Sequence, residues 1–227
     1  MAEPTVHHAA ATPGRDTEAN FERLRALLAE ARRAGAYLLV TPELFLTAEA
    51  TADGSLLRER LRWIARSVGL GLIASTPETT DTATYIGADW WDASGNLVAH
   101  VRKHRLAGWQ VARGFAAWTG RPEPILTSMY SDSGMDRSVA VVFSDDAADP
   151  AYEYYLRDHG VRTVLELGPA SSRSETIPPT PAWAPKHTGV PFPQAGPLPE
   201  PLLRPLPHGA DSWWESGTIR PSAGWGS

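Results

Sequence analysis

The stretch Leu38-Leu-Val-Thr-Pro-Glu-Leu-Phe-Leu46 decides the fold. Its first three residues form a short apolar run, as in a strand buried on both faces. Pro42 has no N–H to give a sheet ladder, so the strand stops before it. Glu43 follows at once, ahead of Leu44-Phe-Leu46. A single carboxylate at the C-terminal end of a buried strand stands where open α/β sheets bind their ligands. Burial there raises a carboxyl pKa and makes it a candidate general base. The same placement also suits a rim carboxylate or helix-start acid with no chemistry.

Upstream, Asp16 is set to cap a helix. Phe21, Leu24, Leu27, Leu28 and Ala31 share one face, and Gly35 closes it. Thr5 to Ala11 is a weaker first strand, so the opening is a β-α-β unit. His7 and His8 are neighbours there and would face opposite sides, too far apart in direction to share a metal. Downstream the pattern repeats. Leu56, Leu57, Leu61, Ile64, Ala65 and Val68 mark a second helix ending at Gly69, and Gly71 to Ala74 is a strand. Thr84 to Asp92 and Leu97 to Lys103 form a hairpin across Ala93-Ser-Gly-Asn96, with Trp90 and Trp91 on opposite faces. Pro124 to Tyr130 and Ser138 to Phe143 read as a second hairpin. A helix follows from Pro150, and Val161 to Leu167 is a further strand.

Composition excludes several classes. The chain has 227 residues, 42% hydrophobic, enough for a substantial core. A net charge of −5 lacks the basic footprint of a nucleic-acid binder. No apolar run approaches the ~20 residues of a membrane span, and the start lacks a signal-peptide pattern, so a cytoplasmic protein is expected. There is no cysteine, hence no disulfide and no thiolate. Gly-rich phosphate loops and a Gly-x-Ser-x-Gly elbow are missing. Asp145, Asp146 and Asp149 do not follow an EF-hand pattern and read as elbow and helix-start acids.

Glu43, Lys103 and Ser144 all stand at ends of expected strands. Lys103 is notable because the chain otherwise uses Arg, with Lys186 its only other lysine. A compact ammonium can serve a developing oxyanion in a way Arg does not, although a solvated hairpin-end lysine reads the same.

Taken in order, these segments resemble the nitrilase superfamily of carbon–nitrogen hydrolases. Asn20 through the helix into Ala34-Gly-Ala-Tyr-Leu-Leu-Val-Thr-Pro-Glu-Leu-Phe-Leu46 resembles the family's first helix and glutamate strand, and Ile64 to Glu78 the second unit. Gly95-Asn-Leu-Val-Ala-His-Val-Arg-Lys-His-Arg-Leu106 resembles the lysine hairpin, and Val139 to Pro150 the nucleophile elbow. The resemblance implies an α-β-β-α sandwich, usually dimeric. It also implies covalent chemistry on a small amide, carbamoyl or nitrile group. Glu43 would be general base, Lys103 oxyanion stabiliser, and Ser144 would occupy the position of the nucleophilic cysteine. No cofactor, metal, nucleic acid or membrane enters that chemistry.

Three departures qualify the resemblance. Ser144 stands where the family has cysteine, two residues before Asp146 and six before Pro150. A hydroxyl is far harder to activate than a thiol of pKa ~8.5. A second glutamate common in the family has no acidic counterpart in Trp109 to Trp118. Finally, thirteen of the twenty prolines fall at or after Pro169, with no helical or alternating period. The expected organisation is therefore an incomplete hydrolase-like domain at 1–168 and a Pro-rich, irregular tail at 169–227. The tail has the amino-acid bias of an out-of-frame reading of a GC-rich gene. Two functions stay open: a carbon–nitrogen hydrolase by descent, and a catalytically inactive relative acting as a binding or scaffold protein.

Overall fold

The computed structural model describes residues 6–9, 11–120, 139–159, 161, 163–168 and 175–177. The chain divides into two units, Met1–Ala184 and Pro185–Ser227, and the second lies wholly outside the described residues.

Strands β1 (Val6–His8), β2 (Leu38–Val40), β3 (Gly71–Thr79), β4 (Thr84–Trp91), β5 (Leu97–Arg102) and β8 (Glu175–Ile177) form a six-stranded sheet in the order β5-β4-β3-β2-β1-β8. The β1-β2 and β2-β3 pairs are parallel, because helices α1 (Thr17–Arg33) and α2 (Gly54–Val68) carry the crossovers. Both helices are closed as the sequence leads one to expect. The Asp16 carboxylate accepts from the N–H groups of Glu18 and Ala19, at 2.8 and 3.2 Å. Gly35 and Gly69 adopt φ of 75° and 67° just past the helix ends. The apolar faces of α1 and α2 cover one side of the sheet, where Phe21, Leu24, Leu28, Leu61 and Ile64 pack with Leu39, Leu72 and Trp91.

Strands β6 (Val139–Phe143) and β7 (Thr163–Leu167) pair in parallel as a second sheet. Their alternation divides two cores. Val139, Val141, Phe143, Leu165 and Leu167 pack on the other side of the first sheet, against Leu38, Val40, Ile73 and Trp90. Ala140 and Val142 turn the opposite way, toward Tyr155 and Leu156 of α5 (Pro150–Asp158). The layers therefore run helices, sheet, sheet, helix: an α-β-β-α sandwich. Trp90 and Trp91 lie on opposite faces, as their adjacency in a strand requires.

Two sequence expectations are revised. First, β3 runs on to Thr79 instead of ending at Ala74. Its Pro77 is tolerated because β2 pairs only with Gly71 to Ile73, so no ladder on that side needs the missing N–H. The hairpin partner expected for β6 at Pro124 to Tyr130 lies outside the described residues; the described neighbour of β6 is β7, parallel to it and reached through α5. Second, irregular chain was expected from residue 169 onward, yet β8 at 175–177 pairs antiparallel with β1. Main-chain pairing needs no side-chain period, so three residues next to a proline-rich run can add to an open edge. The proline-rich run beyond Ile177, with its tryptophans, lies outside the described residues. Among the described residues, no helix is long and apolar enough to cross a membrane.

Candidate active site

The chain leaving β2 delivers Glu43 through an unusual backbone. Leu44 has a φ of 51°, the left-handed region that bulky residues avoid. Two contacts hold the turn. The Leu44 N–H donates to Ser75 Oγ at 2.6 Å, and the Glu43 N–H donates to the Gly168 carbonyl at 2.8 Å. Burial of the Leu44, Phe45 and Leu46 side chains anchors the segment beyond the turn. Packing thus over-determines a strained backbone next to a polar group, a pattern common at functional sites.

Lys103 follows β5 directly and is fully buried. Its main chain is held at both ends, by its own N–H to Ile86 O and by Trp118 N–H to its carbonyl, each 2.9 Å. Its Nζ donates to Glu43 Oε1 and Oε2 at 2.7 and 2.8 Å, and to Asp145 Oδ2 at 2.6 Å. The ammonium, with donors only and no acceptor, is thus shared between two carboxylates. The Phe143 ring lies 5.7 Å from Nζ. A buried cation is tolerated here because two carboxylates neutralise it.

A fourth group completes the cluster. Gln110 sits on the short helix α3 (Gly108–Ala112) and is buried. Its Nε2 donates to Glu43 Oε1 at 2.6 Å while its Oε1 accepts from the Ala107 N–H at 2.9 Å. Burial pushes the Glu43 carboxyl above its ordinary range and Asp145 adds to the rise; the hydrogen bonds and charge of Lys103, and the Gln110 amide, oppose it. A carboxyl so placed is a candidate proton acceptor.

Ser144 opens helix α4 (Ser144–Ala147) directly after β6. Its hydroxyl donates to the Leu167 carbonyl at 3.2 Å, and among the described residues no hydrogen bond joins it to Glu43 or Lys103. Gly168 makes room for it, since a Cβ there would stand 2.8 Å from Ser144 Oγ. Two residues on, Asp146 is buried and accepts the N–H groups of His104 at 3.1 and 3.2 Å and of Arg105 at 2.7 Å. Burial raises its carboxyl to about 6, against those backbone bonds and the Lys103 charge. Asp146 thereby staples the segment carrying Lys103 to the elbow carrying Ser144.

Residues 8–145 match the profile described as carbon-nitrogen hydrolase. The chain belongs to the carbon-nitrogen hydrolase family. The solved structures it resembles include an amidase from Nesterenkonia sp., 24% identical, with a TM-score of 0.63 over 73% of this chain and 65% of that one. A cysteine-to-serine variant of that amidase, described as of the nitrilase superfamily, is also 24% identical, with a TM-score of 0.63 over 74% and 66%. Another variant, in complex with butyramide, is 23% identical, with a TM-score of 0.62 over 73% and 65%. These likenesses carry the fold, and the chain spans just under two thirds of the length of those amidases. No curated protein matches it.

Within this family fold, Glu43 and Lys103, 60 residues apart, are in direct contact, and Ser144 neighbours the aspartate that holds Lys103. Two members of the cluster were not singled out from sequence. Gln110 is an amide in a segment whose family counterpart is an acid, so its residue type gives no sign of a role. Its signal was a lone uncharged polar residue between Trp109 and Val111, which are half or more exposed, so that the intervening side chain points inward. Asp145 was read only as an elbow acid; nothing in its spacing indicates Lys103 as its partner.

Proposed function

We propose that this site is built for hydrolysis of a small amide C–N bond and is silenced at the nucleophile. In that reading Glu43 is the general base, Lys103 the oxyanion stabiliser, and Ser144 stands where a thiol would attack. The carrying observation is the Glu43–Lys103–Gln110 cluster: a buried carboxyl of raised pKa, oriented by an amide and touching a buried ammonium. The amidase whose variant holds butyramide supports a small amide as the substrate class.

With cysteine at position 144 the chemistry balances as follows. Glu43 takes the thiol proton, and sulfur adds to the amide carbon as the C=O pair moves onto oxygen. Lys103 donates to that oxygen. The proton passes from Glu43 to nitrogen, the C–N bond breaks and ammonia leaves. Water, deprotonated by Glu43, then adds to the thioester; the C–S bond breaks, the acid leaves, and sulfur takes the proton back from Glu43. With serine the first proton transfer faces a far weaker acid, and the hydroxyl is turned to the Leu167 carbonyl instead of Glu43. That second fact favours binding without turnover in the chain as it stands.

The test is ammonia release from acetamide, propionamide and butyramide by the chain and by Ser144→Cys. Activity confined to the cysteine variant is expected. Silence of both, with circular dichroism confirming folded protein, would leave the binding or scaffold role.

A further inference from the structure

We propose that Asp145 determines which ligands this site admits: its carboxylate holds the Lys103 N–H that a ligand oxygen needs, and small monocarboxylates take its place when it is removed. The proposal rests on Lys103 being the donor to the substrate oxygen.

The geometry leaves one way in. Lys103 is fully buried, and its ammonium is covered by both oxygens of Glu43 and by Asp145 at 2.6 Å. The Glu43 side chain is only 9% exposed, while that of Asp145 is 51% exposed. Glu43 is also gripped by Gln110. An incoming oxygen therefore displaces Asp145, whose carboxylate already has water within reach to receive it.

Charge decides which oxygen succeeds. Glu43, Lys103 and Asp145 together carry one net negative charge. A neutral amide oxygen replaces an anion on the ammonium and leaves the cation less well compensated. A tetrahedral oxyanion replaces it at charge parity. A free carboxylate also arrives at charge parity, but it meets the displaced Asp145 beside it, and like charges repel. Removing that side chain deletes the competitor and leaves a space shaped like the group lost. Acetate is the Asp145 side chain cut at its Cβ.

The experiment is calorimetric titration with sodium acetate at constant ionic strength, with acetamide as the neutral control. Serine at 144 keeps these equilibria free of turnover. Asp145→Ala is expected to bind acetate at least about tenfold more tightly than the unaltered chain. That gain is expected to vanish in Asp145→Ala/Lys103→Met and to be smaller for acetamide. Asp145→Asn keeps the volume with a weaker acceptor and should show a gain of several-fold; it carries the test if the alanine variant does not fold. Equal acetate affinity with and without the Asp145 carboxylate overturns the proposal, as does a gain that survives loss of Lys103. The Ser144→Cys assay separates the two readings. If it is silent while the acetate gain holds, amide hydrolysis falls and the Asp145 occupancy stands. If it is active and acetate affinity does not change, Asp145 falls alone.

Discussion

Raising the pH from 6.5 to 9.5 should remove about 3 kcal/mol of stability through His100 alone. His100 lies on β5 in a chain of charges across three strands and a helix. Its Nδ1 meets Asp89 Oδ1 at 2.8 Å on β4, and its Nε2 meets Glu78 Oε2 at 3.0 Å on β3. Arg58 of α2 grips the buried Asp89 carboxylate at 2.5 and 2.9 Å, and Arg102 grips Glu78 at 2.8 and 2.5 Å. Burial pulls the imidazole down, but the hydrogen bonds and charges of Asp89 and Glu78 outweigh it and raise His100 from 6.5 to about 9. At about 1.36 kcal/mol per pH unit that gap is worth about 3 kcal/mol. The sign follows from the raised value. The folded chain holds the proton more tightly than the unfolded chain, so the contribution is complete below pH 6.5 and disappears as pH climbs through 9. Glu78 is the other end of the same contact. Burial would raise it, yet Arg102 and His100 hold it far below the ordinary carboxylate range, and its share is lost as pH falls below about 4.5. The two ends describe one interaction and are not added. The assay is urea unfolding at pH 6.5 and 9.5 for the chain and for His100→Gln. The glutamine variant should be less stable at pH 6.5 and nearly flat across the interval. Parallel curves for the two proteins would refute the assignment.

Two further substitutions probe the site itself. Ser75→Ala takes away the oxygen that accepts the Leu44 N–H in its left-handed turn. A cost of about 1–3 kcal/mol is expected in urea unfolding, the range for orphaning a buried donor, and an unchanged midpoint would show that Ser75 does not hold the turn. Gln110→Ala removes one of the two donors to Glu43 Oε1 and leaves the Ala107 N–H without its acceptor. In the Ser144→Cys background kcat should fall at least about tenfold, a loss of about 1.4 kcal/mol in orientation of the base, with KM less affected. Loss in KM alone would assign Gln110 to substrate binding instead.

The elements legible in sequence share one property: their signal is local. Phe21, Leu24, Leu28 and Ala31 repeat at helical spacing whatever they pack against, and Asp16 and Gly35 mark ends set by backbone groups only a few residues away. The helix α3 was not legible, because five residues carry too little period to register and its one inward side chain is a single glutamine. The short strand β8 was missed for the complementary reason, since an edge strand is chosen by the neighbour's unpaired backbone.

The sequence alone determined the order of β-α-β units, the absence of a thiol, and the polar residues that end buried strands. These follow from composition and from periods of 2 and 3.6, which belong to the chain itself. Only the tertiary structure decided that Lys103 spends its protons on Glu43 and Asp145, that Gln110 joins them, and that Ser144 turns to Leu167. Those contacts link residues 23 to 67 positions apart, and a hydrogen bond's partner depends on ångström distances that no local period encodes.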